Sequence, residues 1–409
     1  MKAFWQQSDL GRLVILAPLV ALFALGLDFY IPIVPLLKDL HQVSEEAMQL
    51  TLSGYMLMCA VAQIMTGPLC DRYGRRPVAM VSLGVFIVGS MLAAAIPSFK
   101  MLLIARILQA AGASGTFLCA YTTIRDLYSA SDDSARMYSY INVCISQAPI
   151  FAPTIGGFLA QQYGWPVVFV VLMMIGFYTL LVSYNYYGET VPHRHQVEYT
   201  HLKSAYYQVV LNRNYQVYSL AAATGMGSFF MFFSQSPYIV MEYLGYSKPE
   251  FGVMFGMVGF SFFMASFLTS LICQRVGVHK TVELGSFFMS LGGIALMLMQ
   301  HLYGITAVGF ILPMMMVVSG AALVIGAGLA GTMQPFGHIA GVAFSAVGFV
   351  KFAFSALLGM VLMRLPITPM MLGSMISTSA MTSLLLCIMF RHQLVHHVAK
   401  EALVVPTID

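Results

Sequence analysis

The sequence predicts an all-α membrane protein, with twelve transmembrane helices in two six-helix bundles around a central cavity. Three observations carry that expectation. Of 409 residues, 59% are hydrophobic and only 9% are charged. Soluble domains carry roughly 25% charged residues to face water, so this chain cannot build such a surface. Twelve apolar segments follow one another between polar breaks, each near the ~20 residues that a helix needs to cross a bilayer core. The longest polar stretch, Gly188 to Asn214, falls after the sixth segment and separates two halves.

The segments are justified in order. Leu13–Leu37 follows a short polar start with Lys2 and Arg12; with Asp28 inside it and no small-residue cleavage site, it reads as an uncleaved first span. Met48–Leu69, Val78–Ile96, Met101–Ile124, Met137–Ala160 and Val167–Tyr187 complete the first half. Tyr215–Val240, Phe251–Cys273, Thr281–Met299, Ile305–Leu329, Val342–Met363 and Pro369–Phe390 form the second. Between Leu284 and Val350 no charged residue marks a turn, so Gly304, Pro335 and Gly337 supply the breaks. The expected organisation is an N-terminal bundle at 1–187, a cytoplasmic linker at 188–214, a C-terminal bundle at 215–391 and a cytoplasmic tail at 392–409.

Almost nothing remains for a soluble domain, which argues against an enzyme with a globular head and against nucleic-acid binding. Cys59, Cys70, Cys119, Cys144, Cys273 and Cys387 lie in or beside apolar runs without a CxxC pair, so no disulfide, metal site or cofactor is expected. His392, His396 and His397 read as solvated tail residues. Orientation follows from Lys and Arg placement: with the N-terminus inside, 14 fall on the cytoplasmic side and 4 opposite. Both termini are therefore expected in the cytoplasm.

Several motifs carry more than topology. Gly67-Pro68-Leu69-Cys70-Asp71-Arg72-Tyr73-Gly74-Arg75-Arg76-Pro77 forms a tight charged loop after the second span, and Ile272-Cys273-Gln274-Arg275-Val276-Gly277 repeats it weakly 203 residues later. A repeat of this size suits a transporter with its site between the halves. Pro149, Pro153, Gly156 and Gly157 weaken the fifth helix and permit close helix approach.

Gly67 to Pro77 resembles motif A of the major facilitator superfamily, with Gln274 replacing the aspartate in the second copy. Arg106-Ile107-Leu108-Gln109-Ala110-Ala111-Gly112 resembles its motif B. Ala152-Pro153-Thr154-Ile155-Gly156-Gly157 resembles the fifth-span antiporter motif, with Ala152 where glycine is usual. Asp28-Phe29-Tyr30-Ile31-Pro32-Ile33-Val34-Pro35 resembles the acidic first-span motif of drug:proton antiporters. Together with Met333-Gln334-Pro335-Phe336-Gly337 and Ala340-Gly341-Val342-Ala343, it is similar to the Bcr/CflA drug-resistance group. The resemblance implies the fold of that superfamily, alternating access, export coupled to protons and a bacterial inner-membrane location. Its conformational residues would be Gly67, Asp71, Arg72, Gly74, Arg75, Arg76, Pro153, Gly156 and Gly157.

Three ionisable residues lie well inside spans: Asp28, Arg106 and Lys351. Such charges are costly and usually face a cavity or one another. At about 1.5 Å per residue, Asp28 and Arg106 share a depth. Asp28 is expected to carry the proton with Arg106 as fixed partner, as the resemblance implies for the motif B arginine. The alternatives are a static ion pair, or an Arg106 that donates to helix carbonyls. The resemblance puts glutamine at the position of Lys351, and the lysine's charge favours a carboxylated substrate over a lipophilic cation. It could instead pair with Asp28 or serve no substrate. Tyr30, Gln109, Tyr121, Gln147, Gln235 and Tyr238 complete the candidate substrate-binding set.

No nucleotide-binding loop is present, so an ion gradient is the expected energy source. The expected partners are a small-molecule substrate, protons and membrane lipids, for a monomer. An alternative expectation is transport of an organic anion such as a polycarboxylate siderophore or metabolite, with inward movement allowed. A receptor-like or lipid-handling protein without proton coupling is the third reading; Asp28 and the intact charged loop argue against it.

Overall fold

The structure, a computed structural model, describes residues 8–95, 98–128, 133–190 and 199–402. Lys2, residues 191–198 of the central connection, residues 403–409 and the side chains of His392, His396 and His397 lie outside the described residues. In hydrocarbon every backbone N–H and C=O needs a partner in its own segment, so the apolar runs become helices. Among the described residues, twelve are long and apolar enough to span: Asp9–His41, Glu45–Tyr73, Arg75–Ala94, Phe99–Tyr128, Tyr140–Tyr163 and Pro166–Tyr186, then Arg213–Tyr243, Lys248–Val276, Val278–Tyr303, Ala307–Phe336, Gly341–Leu362 and Pro369–Phe390.

Several of these helices outrun the apolar segments because polar residues cap them. The Ser44 hydroxyl accepts the Ala47 N–H at 3.2 Å, Thr306 accepts that of Gly309 at 3.1 Å, and Ser247 with Glu250 forms a capping box. The charge-free stretch breaks at Gly304, with φ of +72°, and at the 3-10 segment Gln334–Ile339, where the sequence placed its turns.

Besides the tenth at Gln334, the first, fifth and seventh spans are interrupted. The first is regular over Asp9–Asp28, tightens to a 3-10 turn at Ile31–Ile33 and resumes at Val34–His41. Pro32 and Pro35 have no N–H to continue the ladder. The fifth breaks at Gln147, between Asp133–Ser146 and Ala148–Tyr163. The seventh ends in a π-helical turn, Tyr238–Tyr243, after Pro237. In the central connection a helix, Tyr199–Leu211, packs on the eleventh span, where the Tyr206 hydroxyl and Ser345 Oγ are 2.9 Å apart. Burial pushes the Tyr206 phenol above its ordinary value.

The halves meet along two seams, second span on eleventh and fifth on eighth. Fifth and eighth approach so closely that a Cβ on Gly256 would lie 2.8 Å from the Ile150 carbonyl oxygen, and one on Gly259 2.7 Å from that of Pro149. Only glycine fits this stripe. Twelve described spans put the start of the first and the end of the last on one side, the terminal side.

Gly74 and Gly277 occupy matching loop positions in the two halves, with φ of +98° and +86°. Glycine adopts such angles freely. Beside Gly74 sits the Glu189 carboxylate, which accepts the Arg75 N–H at 2.9 Å and the Arg76 N–H at 3.2 Å. Among the described residues, no atom outside its own chain neighbours comes within 4 Å of where a Cβ on Gly277 would sit.

Candidate functional site

A cavity of about 240 Å³ opens between the halves. Phe23, Leu27 and Asp28 of the first span, Phe117 and Tyr121 of the fourth, and Asn142, Ser146 and Pro149 of the fifth form one wall. Met226, Phe229 and Phe233 of the seventh, Phe262 and Thr269 of the eighth, Leu329 of the tenth, and Phe344, Lys351 and Phe352 of the eleventh form the other. Rings line it closely: Phe117 and Tyr121 stack at 4.6 Å, Phe229 and Phe262 at 4.7 Å, and Tyr121 reaches Phe344 across the halves at 5.1 Å. Helix direction places the lining from mid-span toward the terminal side.

Opposite that side the halves are closed. Lys38 at the end of the first span reaches Glu242 at the end of the seventh, Nζ to Oε1 2.6 Å, and lies 5.6 Å over the Tyr238 ring. Glu45 and Asp39 hold the same ammonium at 3.5 and 3.9 Å. A Cβ on Gly156 would meet the Phe29 carbonyl oxygen at 2.8 Å, and one on Gly157 that of Lys248 at 2.8 Å, so the fifth helix seals this end through backbone contact.

Asp28 is the last residue of the regular first helix. It is 1% exposed, yet lines the cavity. Its Oδ2 has no hydrogen-bond partner among the described residues. The direct pair with Arg106 is not made. Arg106 Nη1 donates instead to the Gly26 carbonyl oxygen at 2.7 Å and to Gln109 Oε1 at 2.9 Å. Its guanidinium lies between the Tyr30 and Tyr55 rings, 4.1 and 4.4 Å from their centroids. Arg106 therefore holds the backbone two residues before Asp28, with two aromatic faces absorbing its charge.

Lys351 lines the cavity from the eleventh span, its Nζ 5.8 Å from the Phe352 ring. Among the described residues no carboxylate comes within ion-pair distance of it. Tyr121 is the other candidate residue on the wall, its hydroxyl donating to Asn142 Oδ1 at 2.6 Å.

Tyr30, Gln109, Gln147, Gln235 and Tyr238 do not line the cavity. Tyr30, Gln235 and Tyr238 lie further out along their spans, in the closed end, where the Tyr30 hydroxyl pairs with Thr51 at 2.7 Å. Gln109 lies behind the wall, donating to Ser90 at 2.9 Å. Gln147 donates back to the Val143 carbonyl oxygen at 3.4 Å. Asn142 and the phenylalanine wall were not singled out from sequence. An amide inside a span was a signal for Asn142; nothing distinguished wall phenylalanines from lipid-facing ones.

The charged loop on the terminal side forms a compact cluster. Arg75 Nη1 lies 2.6 Å from Asp71 Oδ1, and Arg75 Nε donates to Asp126 Oδ2 at 3.1 Å. Thr190 donates to the same Asp126 oxygen at 3.1 Å, and Arg76 to the Tyr184 carbonyl oxygen at 2.7 Å. Arg72 lies over the Tyr73 ring at 5.2 Å. Gly67 faces Ser345 of the other half, and a Cβ on Gly341 would strike the Arg125 guanidinium.

The comparisons agree with this architecture. The family described as Major Facilitator Superfamily matches residues 16–360. A chloramphenicol resistance protein of Pseudomonas aeruginosa is 29% identical over 338 residues, covering 82% of this chain and 80% of that protein. The multidrug resistance protein MdtL of Salmonella paratyphi A is 26% identical over 340 residues, covering 83% and 84%. Among solved structures, the partially occluded inward-open xylose transporter XylE of E. coli superposes with a TM-score of 0.73 at 12% identity, covering 94% of this chain and 97% of that one. The chain belongs to the Major Facilitator Superfamily, and it is a multi-pass membrane transporter rather than an enzyme.

Proposed function

We propose that the protein is a proton-coupled exporter of drugs or small organic molecules. It would act as a monomer in a bacterial inner membrane, with both termini and the central connection in the cytoplasm. The observation that carries this reading is Asp28, a buried carboxyl on the cavity wall without an ion-pair partner among the described residues. A carboxyl so placed can exchange a proton with the cavity as the halves rock, while Arg106 fixes the backbone that presents it. The drug-resistance relatives support export. The cavity faces the terminal side, which the Lys and Arg asymmetry assigns to the cytoplasm. An exporter loads there.

The test is resistance to chloramphenicol in an efflux-deficient host, together with drug-dependent proton movement in everted vesicles. Wild type should raise resistance several-fold and move protons. Asp28→Asn should express and insert but do neither, because an amide cannot exchange a proton. Drug extrusion by Asp28→Asn, driven by the proton gradient alone, overturns the assignment. Lys351 favours a second reading, transport of an organic anion, since an ammonium on the wall with no carboxylate in ion-pair range among the described residues attracts one from a ligand.

A further inference from the structure

Two groups of opposite charge face one cavity, and neither is matched. Asp28 comes from the first half and Lys351 from the second. Among the described residues, neither has an oppositely charged side chain within 4 Å, and they do not pair with each other. Rings line the same cavity, Phe23, Phe229 and Phe352 among them, with Phe23 and Phe352 5.1 Å apart across the halves. Charges buried near mid-membrane are retained where a ligand or partner uses them.

Single-charge ligands leave one of the two groups unanswered. A cation would satisfy Asp28 and be repelled by Lys351. An anion would satisfy Lys351 and, by repelling the Asp28 carboxylate, favour its protonated form, so anion and proton would bind together. Exchange of a proton for substrate needs the opposite linkage, in which the ligand stabilises the Asp28 carboxylate and expels the proton. A ligand with a positive end and a negative end does both.

We propose that the cavity takes a zwitterionic aromatic amphiphile, its carboxylate on Lys351, its ammonium on Asp28 and its ring system against the phenylalanine wall. On binding, the protonated Asp28 carboxyl loses its proton to water on the open side and the resulting carboxylate pairs with the ligand ammonium. The ligand keeps its own protons, so one proton leaves per ligand bound. The ligand then ties the two halves together through one ion pair to each. This inference rests on the proton-exchange role proposed for Asp28.

The experiment uses the full chain in detergent and two zwitterions of different span, 4-(aminomethyl)benzoate and 4′-(aminomethyl)biphenyl-4-carboxylate. Each is accompanied by its methyl ester, which is cationic only, and its N-acetyl derivative, which is anionic only. Calorimetry reads affinity, and an indicator in weak buffer reads proton release. At least one zwitterion should bind at least tenfold more tightly than both of its derivatives and release a proton; the ester should also release one and the N-acetyl derivative none. Lys351→Gln should abolish the zwitterion's advantage over the ester, which should itself bind no more weakly than it binds wild type once the repelling ammonium is gone, and Lys351→Arg should keep most of the advantage. The wild-type ligand series alone is decisive if Lys351→Gln does not fold. Zwitterions that fail to bind, or that bind no better than a derivative, overturn the proposal, as does Lys351→Gln weakening zwitterion and ester by the same factor. Proton release by the ester, with no advantage for the zwitterion, sinks this inference alone. Binding without proton release by any of the ligands removes the proton-exchange role of Asp28 as well.

Discussion

Removing the charge of Glu242 should open the end of the transporter opposite its termini. Among the described residues, Glu242 is the one carboxylate within 4 Å of Lys38 that comes from the other half; Asp39 and Glu45 belong to Lys38's own half. Glu242→Gln therefore deletes an attraction between halves without stranding the ammonium. At 2.6 Å and an effective dielectric near 20, the Coulomb attraction is about 6 kcal/mol. Desolvation and the ordering of two long side chains remove most of it, and exposed pairs retain only ~0.2–1 kcal/mol. The two side chains here are 16% and 28% exposed, so the pair sits somewhat above that range. A loss of about 1–1.4 kcal/mol raises the population open at that end roughly 5–10-fold. Spin labels at Leu40 and Tyr243, both more than half exposed in the closed end, would read it as growth of a longer distance in a cysteine-replaced background. Lys38→Met should do the same, and the double variant no more than the larger single change. Identical distance distributions in wild type and Glu242→Gln would refute the argument that this pair latches the halves.

Asp71→Asn should slow transport at unchanged substrate affinity, because it removes a partner of Arg75 in the loop cluster and touches no cavity residue; weakened equilibrium binding at an unchanged rate would place Asp71 in ligand recognition. Gly256→Leu should cut transport more than tenfold at normal expression, since its Cβ meets the Ile150 carbonyl oxygen at 2.8 Å. Gly54→Leu, with nothing within 4 Å, is the control that should keep activity. Reporter fusions at Asp409 and near His195 should both read cytoplasmic, and a periplasmic signal at either would invert the proposed orientation.

The fold was legible because a bilayer leaves the backbone so few choices. Run length and glycine or proline punctuation sufficed even where no charge marked a turn, as at Gly304 and Pro335. The site was legible in part. Asp28, Lys351 and Tyr121 reach the cavity wall, because polar groups at mid-span have few other places to go. Depth along a helix did not reveal azimuth: Arg106 shares Asp28's layer but turns its guanidinium toward Gly26, Gln109 and two tyrosine rings. Tyr30, Gln235 and Tyr238 were out of reach of sequence reasoning for another reason. Which end of each span is closed depends on how the two halves tilt, and no local pattern encodes that tilt. Glu189 was invisible as a partner of Gly74 because 115 residues separate them and only the packed bundle brings them together.

That carboxylate has a mechanical consequence. Glu189 ties the chain leaving the sixth span to the first two amides of the third, so four spans of one half are riveted through Asp71, Arg75, Asp126 and Glu189. The matching corner at Gly277 has Gln274 where the other copy has Asp71, and among the described residues no carboxylate is seated in it. The loop corner is thus pinned by side chains in one half and, among the described residues, left unpinned in the other. Backbone amides at Val278 and His279 should therefore exchange with deuterium faster than those at Arg75 and Arg76, which Glu189 holds.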